Sequence, residues 1–366
     1  MRFVISLLAL RPGRIGGTES YMRELLAAMP GCLDGDEVVV VAGREAAASM
    51  DTAGFERSVL DLSSTALVAR RAAEAFTPWR DRLLERTIEK LRPDAVFFPQ
   101  FSMYPIGVAA PAVVHVADVQ HLLLPENFAF LDRAFRGAIY PRSLARARLV
   151  VAASSWTATT LVRLADVAES KIRVVRHGVP PHVRAMTTVS APIEGPYLYY
   201  PAVTNPHKGH DLLLDSYAAL VREGLGHRLV FTGQKTGHWK NLERKIRTLG
   251  LEGRVLHLGY IDREVVEALY ANAEAVVFPS RFEGFGLPVV EAAGHGVRVI
   301  TSDLEVFGEN GVEGLLRIDF SDVEQLRAAL ASPVRARVID GAWTWRDAAS
   351  ATLDALREAA RMGRES

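Results

Sequence analysis

Short apolar runs alternate along the chain with longer segments in which apolar residues recur every three or four positions. FVISLLAL (3–10), EVVVVA (37–42), DAVFFP (94–99), AVVHVA (112–117) and RLVVAAS (148–154) form a first series of runs. YLYYPAV (197–203), RLVFTG (228–233), RVLHLG (254–259), EAVVFPS (274–280) and VRVITSD (297–303) form a second. Most are apolar throughout, not at every other position, which is the pattern of strands covered on both faces of a parallel sheet. SYMRELLAAMP (20–30) and HDLLLDSYAALVREG (210–224) carry the helical period and predict crossover helices.

Between the two series lies HGVPPHVRAMTTVSAPIEGPY (177–197), with four prolines, two glycines and no clear period. It predicts a linker, placed at 181–196. The expected architecture is α/β, with two Rossmann-like, doubly wound parallel-sheet domains, 1–180 and 197–342, facing a central cleft. An amphipathic closing helix, WTWRDAASATLDALREAARMG, is expected within 343–366 and could pack back on the N-terminal domain. Ligands of such sheets bind beyond the carboxyl ends of the strands, where the strand order reverses.

Bulk composition narrows the function classes. A chain of 366 residues, 49% hydrophobic and 23% charged, suits about two globular domains. Its formal net charge of zero gives a nucleic-acid partner no electrostatic footing. Cys32 is the single cysteine, so no disulfide can form within the chain, which fits a reducing cytoplasm. The N-terminal run from Phe3 to Leu10 has no small-residue cleavage site and meets Arg11-Pro12-Gly13 at once, so a buried first strand is expected there, not a leader. No run reaches the roughly 18 apolar residues of a membrane span.

The stretch PSRFEGFGLPVVEAAGHG (279–296) carries the candidate chemistry. A strand precedes it and a short helix opens near Pro288, a residue that tolerates the first helical positions. Gly284 and Gly286 let backbone approach a ligand, and the helix start offers unpaired N–H groups and a positive dipole end. That combination suits a phosphate or diphosphate. Glu283 and Glu291 flank it, and carboxylates are good acceptors for sugar and ribose hydroxyls. An anion alone would not call for two acids; a sugar nucleotide would.

FEGFGLPVVEAAGHGVRVITSD resembles the E-x7-E signature of retaining glycosyltransferases of family 4, which have the GT-B fold. GRIGGTESYMREL (13–25), VADVQHLLLPENF (116–128), KIRVVRHGV (171–179), YYPAVTNPHKGHDLLLDSY (199–217), LGYIDREVVEALYANAEAVVFPS (258–280) and the terminal WTWRDAASATL are similar to family segments in the same order. The resemblance implies that Glu291 binds the nucleotide ribose and Glu283 the donor sugar. Backbone N–H groups of Phe285, Gly286 and Leu287 would contact the sugar or its diphosphate. Lys208, in NPHKGH, matches a lysine that neutralises the diphosphate and stabilises the leaving group. Gly16 and Gly17 would face the diphosphate from the N-terminal domain, with Thr18 as N-cap.

Two departures from the family pattern stand out. An arginine common six residues before the lysine is replaced by Ala202, leaving His207 and Lys235 as candidate substitutes. A family His-Asp pair, aligned on Asp118, meets Ala117 at the histidine position. His115 within the strand and His121 in the following loop are the candidates for the sugar contact, with His121 favoured.

The resemblance implies front-face transfer, the leaving diphosphate helping to deprotonate the acceptor hydroxyl; neither an obligatory metal nor a cofactor is expected. The donor leans towards GDP-mannose, with UDP- or dTDP-sugars as alternatives and mannose or rhamnose as the hexose. The acceptor would be a glycan, a lipid-linked glycan or a small molecule held by the N-terminal domain. LDRAFRGAIYPRSLARAR (131–148), with five arginines and one acid, could touch the inner face of a membrane. A non-catalytic sugar-nucleotide binder, a phosphorylase and an epimerase are the competing readings.

Overall fold

The computed structural model describes residues 1–12, 16–179 and 189–364. It divides into two compact units, Met1–Gly178 with Trp343–Ser366, and Val179–Ala342. Residues 180–188, which include the first half of the expected linker, and the start of the first glycine loop (13–15) lie outside the described residues.

The first unit holds a seven-stranded sheet, ordered β3-β2-β1-β4-β5-β6-β7. Its strands are β1 (Arg2–Ser6), β2 (Glu37–Gly43), β3 (Glu56–Leu60), β4 (Ala95–Phe98), β5 (Ala112–Val116), β6 (Leu149–Ala152) and β7 (Ile172–Val174). Every pairing is parallel. The second unit holds β8 (Tyr197–Pro201), β9 (Arg228–Thr232), β10 (Val255–His257), β11 (Ala275–Phe278), β12 (Arg298–Ser302) and β14 (Leu316–Ile318), ordered β10-β9-β8-β11-β12-β14 and again parallel. A separate antiparallel ribbon joins β13 (Val312–Glu313) to β15 (Arg337–Val338).

All ten apolar runs contain a strand, because central strands bury both faces: Phe3, Val4 and Ile5 are fully buried, as are Leu198 and Tyr199. The runs overstate strand length. β1 stops at Ser6, where the chain turns through a Leu10 N–H to Leu7 carbonyl bond while Leu7 and Leu8 stay buried. The strands of the two parallel sheets that no run announced, β3, β7 and β14, lie at sheet edges and carry charges such as Glu56, Arg57, Arg173 and Arg317. Edge strands tolerate such residues because one side faces water.

The helix that opens the first crossover spans Gly16–Ala28, so Thr18 sits inside its first turn. The expected N-cap role of Thr18 fails because Gly16 and Gly17 are themselves helical. At the other end of the chain, the helix Trp345–Arg364 belongs to the first unit. It buries Trp345, Ala348, Ala349, Thr352, Leu353, Leu356, Ala359 and Ala360, one stripe at three- and four-residue spacing. Arg357 Nε donates to Asp36 at 2.7 Å and Arg364 Nη2 to Asp94 at 2.7 Å. A side chain at Gly178 would put its Cβ 2.1 Å from the Trp345 backbone nitrogen, so glycine is needed where the helix start crosses it.

In each sheet the strand order reverses once, between β1 and β4 and between β8 and β11. Loops leaving the carboxyl ends of these strands are where a ligand is expected.

Candidate active site

β8 and β11 are hydrogen-bonded neighbours, with Leu198 opposite Ala275 and Tyr199 opposite Val276. Their outgoing loops therefore leave the sheet side by side. Lys208 ends a 3-10 turn, Pro206–Lys208, in the first loop. Glu283 lies in the second, and Lys208 Nζ donates to its Oε1 at 2.7 Å. Both side chains are largely withdrawn from water, 18% and 13% exposed. Ser280 Oγ also donates to Glu283 Oε1 at 2.7 Å. Tyr200, at the end of β8, donates its hydroxyl to the Lys208 carbonyl at 2.7 Å and lies 3.1 Å from Ser280 Oγ.

Gly209 makes this convergence feasible. It adopts a left-handed conformation, φ +69°, and a Cβ there would lie 2.1 Å from the Pro279 carbonyl oxygen. Backbone therefore packs on backbone, and the Arg281 N–H donates to the His207 carbonyl at 2.7 Å across the same seam.

The helix after the glycine turn runs Leu287–Gly294, with Leu287 first and Pro288 second. Gly286 precedes it at φ +87°, and a Cβ there would meet the Phe307 ring at 2.7 Å. Only glycine satisfies both constraints. Helix geometry leaves the Gly286 and Leu287 N–H groups without intrahelical acceptors. Phe285 is buried beside them.

Glu291, one turn into the helix, belongs to a second network. Its Oε1 accepts from Arg263 at 2.9 Å and its Oε2 from the Tyr270 hydroxyl at 3.0 Å. Burial opposes the Arg263 charge, but the carboxylates of Glu291 and Glu267 raise its pKa above the ordinary value. Those two bonds leave Glu291 with unused acceptor capacity, since an ionised carboxylate has about four lone-pair directions.

Of the two candidates to stand in for the family arginine that Ala202 replaces, His207 carries no charge in this structure at pH 7. Burial first, and the Lys208 charge next, push His207 down to about 4, so it is neutral at pH 7. The Ala202 N–H instead donates to the Thr232 carbonyl at 3.0 Å. Lys235 is exposed and sits over the Trp239 ring, 4.5 Å from its centre. Its loop is stitched to the Lys208 loop through the Thr236 N–H to Thr204 Oγ1 bond, 2.8 Å.

In the first unit the two histidine candidates differ. His115 is 1% exposed within β5, stacked on Tyr21 at 4.2 Å, its Nδ1 3.3 Å from the Pro99 carbonyl. Burial pushes it down to about 4. It is a core ring, closed off from any sugar. His121, in the short helix Gln120–Leu123, is half-buried edge-on to Phe101 and Tyr140. Asp118 accepts the Gln120 N–H at 3.0 Å. Gly16 and Gly17 open the first helix, and a Cβ at Gly17 would meet nothing within 4 Å, so packing does not demand that glycine.

Residues 15–183 match the family model "Glycosyltransferase Family 4", and residues 189–335 match "Glycosyl transferases group 1". The chain belongs to glycosyltransferase family 4. Among relatives, the O-antigen chain mannosyltransferase B of Escherichia coli is 35% identical over 141 residues, 36% of this chain and 35% of that protein. The serotype-specific mannosyltransferase WbdA of Escherichia coli is 33% identical over 133 residues, 36% of this chain and 16% of that protein. The chain thus spans about a third of one relative and a sixth of the other. The crystal structure of Anabaena Alr3699/HepE in complex with UDP and glucose aligns over 100% of this chain and 98% of its own, with a TM-score of 0.65 at 20% identity. That likeness fixes the fold of this family 4 chain as GT-B.

Several groups around the family 4 site escaped the sequence. Arg263, Tyr270 and Ser280 bond the two glutamates and Tyr200 braces Lys208 and Ser280; all four lie in the quoted segments, but none was singled out there. Asn310 is 3% exposed, its amide nitrogen 3.8 Å from the Cβ position of Gly286, and neither polar atom of its amide has a hydrogen-bond partner. A buried polar group left unpaired is costly, and a ligand at the glycine turn would relieve it.

Proposed function

We propose that this chain is a retaining glycosyltransferase that moves a hexose from a nucleoside-diphosphate sugar to a hydroxyl of a glycan or lipid-linked acceptor. The observation that carries this reading is the meeting of Lys208, Glu283 and the Gly286-led helix start where the strand order reverses between β8 and β11. An ammonium and peptide N–H groups carried by the loops of two neighbouring strands suit a departing diphosphate.

Lys208 takes up the negative charge that develops as the bond from the anomeric carbon to the diphosphate oxygen breaks. In the free protein Glu283 holds that ammonium; a bound diphosphate would share it. Glu283 accepts from hydroxyls of the transferred sugar, and Glu291 accepts from the ribose with the lone pairs that Arg263 and Tyr270 leave over. The two acids serve separate networks, which disfavours a nucleophile-and-acid pair acting on one carbon. Transfer is therefore assigned to the front face: the acceptor oxygen bonds to the anomeric carbon on the side the diphosphate leaves, and its proton passes to a diphosphate oxygen. Orientation and charge stabilisation supply the catalysis. No metal is assigned; Lys235 is the second cation, and His121 and Asp118 border the acceptor.

The mannosyltransferase relatives favour mannose, and hence GDP-mannose, over UDP- and dTDP-sugars. The proposed place of action is the cytoplasm, with the helix Phe130–Arg146 at the inner face of a membrane: Phe130 and Leu131 are 80% and 74% exposed. Among the described residues no helix is long and apolar enough to cross one.

The test is nucleoside-diphosphate release from GDP-mannose, UDP-glucose and dTDP-rhamnose with glycan acceptors, with and without EDTA, and NMR of the new anomeric centre. Release with retained configuration, insensitive to EDTA, is expected. An inverted product would sink the front-face step, and tight nucleotide binding with no release from any donor would make the chain a binder.

A further inference from the structure

Basic and aromatic side chains of the helices Ser64–Phe76 and Phe130–Arg146 gather with others from the loops that leave β4 and β5. Arg71 Nη2 donates to the Ser102 hydroxyl, and its guanidinium lies 5.0 Å from the Phe135 ring centre. Its Nε is closed off from water with no hydrogen-bond partner. Arg136 Nη1 donates to the Tyr140 hydroxyl at 3.0 Å and lies over the Phe128 ring at 4.4 Å. Phe101 stacks on Tyr140 at 4.1 Å, and His121 meets both rings edge-on at 5.0 and 4.9 Å.

Neither arginine has a carboxylate within ion-pair distance among the described residues. The nearest buried acid, Glu74, gives its two carboxylate oxygens to the Asp81 and Ile106 N–H groups. The Arg136 charge acts on both of the other basic groups. Burial, and then the Arg136 charge, push His121 down to about 4. Arg71 is lowered chiefly by burial, with Arg136 adding to the effect and the Glu74 carboxylate opposing it. Withdrawn charges are normally paired, because burying one alone is costly. Here the partners are two hydroxyls and aromatic faces. Phe101 is also held at φ +55°, a strained conformation for a bulky residue, and such strain gathers at functional sites.

We infer that Arg71, Arg136 and His121, framed by Phe101 and Tyr140, form an oxyanion subsite for a phosphate or diphosphate group carried by the acceptor. Arginine forks suit phosphate oxygens bidentately. The aromatic frame would exclude water and take the apolar or sugar face beside that phosphate. The site stands on its own geometry; only the naming of its ligand as the acceptor rests on the transferase reading.

Calorimetric titration of the full chain with inorganic phosphate and pyrophosphate tests this, in a Lys208→Ala background so that the diphosphate site of the second unit does not contribute. Arg136→Gln and Arg71→Gln should each weaken binding about tenfold, the loss of one charge-assisted contact. Phosphate should move the His121 resonance in histidine-labelled protein, assigned through His121→Gln. Arg136 is half-buried on a helix surface, so its variant keeps the test decisive should Arg71→Gln misfold. Phosphate binding that vanishes with Lys208→Ala, or ignores both arginine substitutions, overturns the inference.

Vesicles of phosphatidylcholine with and without phosphatidic acid separate the sources. Sedimentation with phosphatidic acid that free phosphate competes away, and that the arginine variants lose, assigns a lipid-borne phosphate. Free phosphate binding without sedimentation assigns a soluble phosphorylated acceptor. Sedimentation indifferent to both arginines, with no phosphate binding, overturns the subsite. Phosphate binding without donor turnover would defeat the transferase reading and leave the subsite standing; turnover without phosphate binding would do the reverse.

Discussion

Lys208→Met removes one charge and keeps most of the stem's bulk. Glu283 then loses an ammonium at 2.7 Å and keeps only the Ser280 hydroxyl, at a position 13% exposed. At an effective dielectric of about 20 the gross attraction across that gap is roughly 6 kcal/mol, much of it offset by the cost of withdrawing both charges from water. Removing one partner of such a buried pair costs about 3–5 kcal/mol, because the other charge is stranded. The surviving hydroxyl bond places this case near the lower end, about 3 kcal/mol. For a unit of roughly 150–250 residues that lowers Tm by roughly 6–12 °C. Turnover should fall further, by about 10²–10³ in kcat, the usual result of deleting one fixed group that stabilises developing charge. Glu283→Gln added to Lys208→Met removes the stranded carboxylate, so most of the lost stability should return while turnover does not. Thermal melts and nucleotide-release rates on wild type, both single variants and the double variant separate the two roles. A double variant that regains activity with stability would refute the leaving-group role of Lys208. So would a single variant that melts early but turns over within about threefold of wild type.

Other outcomes follow from the same geometry. Gly209→Ala forces a Cβ against the Pro279 carbonyl at φ +69°, so it should cost about 1–3 kcal/mol or more and weaken donor binding by moving Lys208; an unchanged melt and donor affinity would contradict it. Asn310→Ala breaks no hydrogen bond, so the melt should stay within about 1 kcal/mol while donor affinity drops about tenfold by calorimetry; unaltered donor binding would make Asn310 purely structural. Burial holds His115 down at about 4, against about 6.5 in the unfolded chain, so the unfolded state binds more protons between those values and stability falls as pH drops through them. This ring alone should cost about 2 kcal/mol at pH 5, and His115→Phe, which keeps the stack on Tyr21, should flatten the pH 7 to pH 5 stability slope by that amount in urea melts. An unaltered slope would show that the ring is not held neutral.

Much of this protein was written locally. Strands buried on both faces must be apolar at every position, so the nine central strands announced themselves, with β10 the one edge strand that a run also marked, and a glycine turn before a short helix with flanking acids is a contiguous arrangement that twenty residues can carry. Charged edge strands such as β3 and β7 could not be read, because half-solvated backbone imposes no such pattern. The sequence also left His115 and His121 as alternatives, since burial is a property of what packs around a residue; the stack of Tyr21 on His115 comes from a helix nearly a hundred residues away. Tertiary structure alone brought Lys208 to Glu283, 75 positions apart, because neighbouring strands β8 and β11 are joined through β9 and β10, and strand order depends on how the whole sheet packs. It alone gave Glu291 its partners Arg263 and Tyr270, left Asn310 unpaired beside Gly286, and gathered Arg71, Arg136 and His121 from three separate segments. The closing helix shows the same division: its apolar stripe was legible as something to be buried, but a stripe does not name its partner, and only the fit of Trp345 over Gly178 and of Arg357 and Arg364 onto Asp36 and Asp94 assigned it to the first unit.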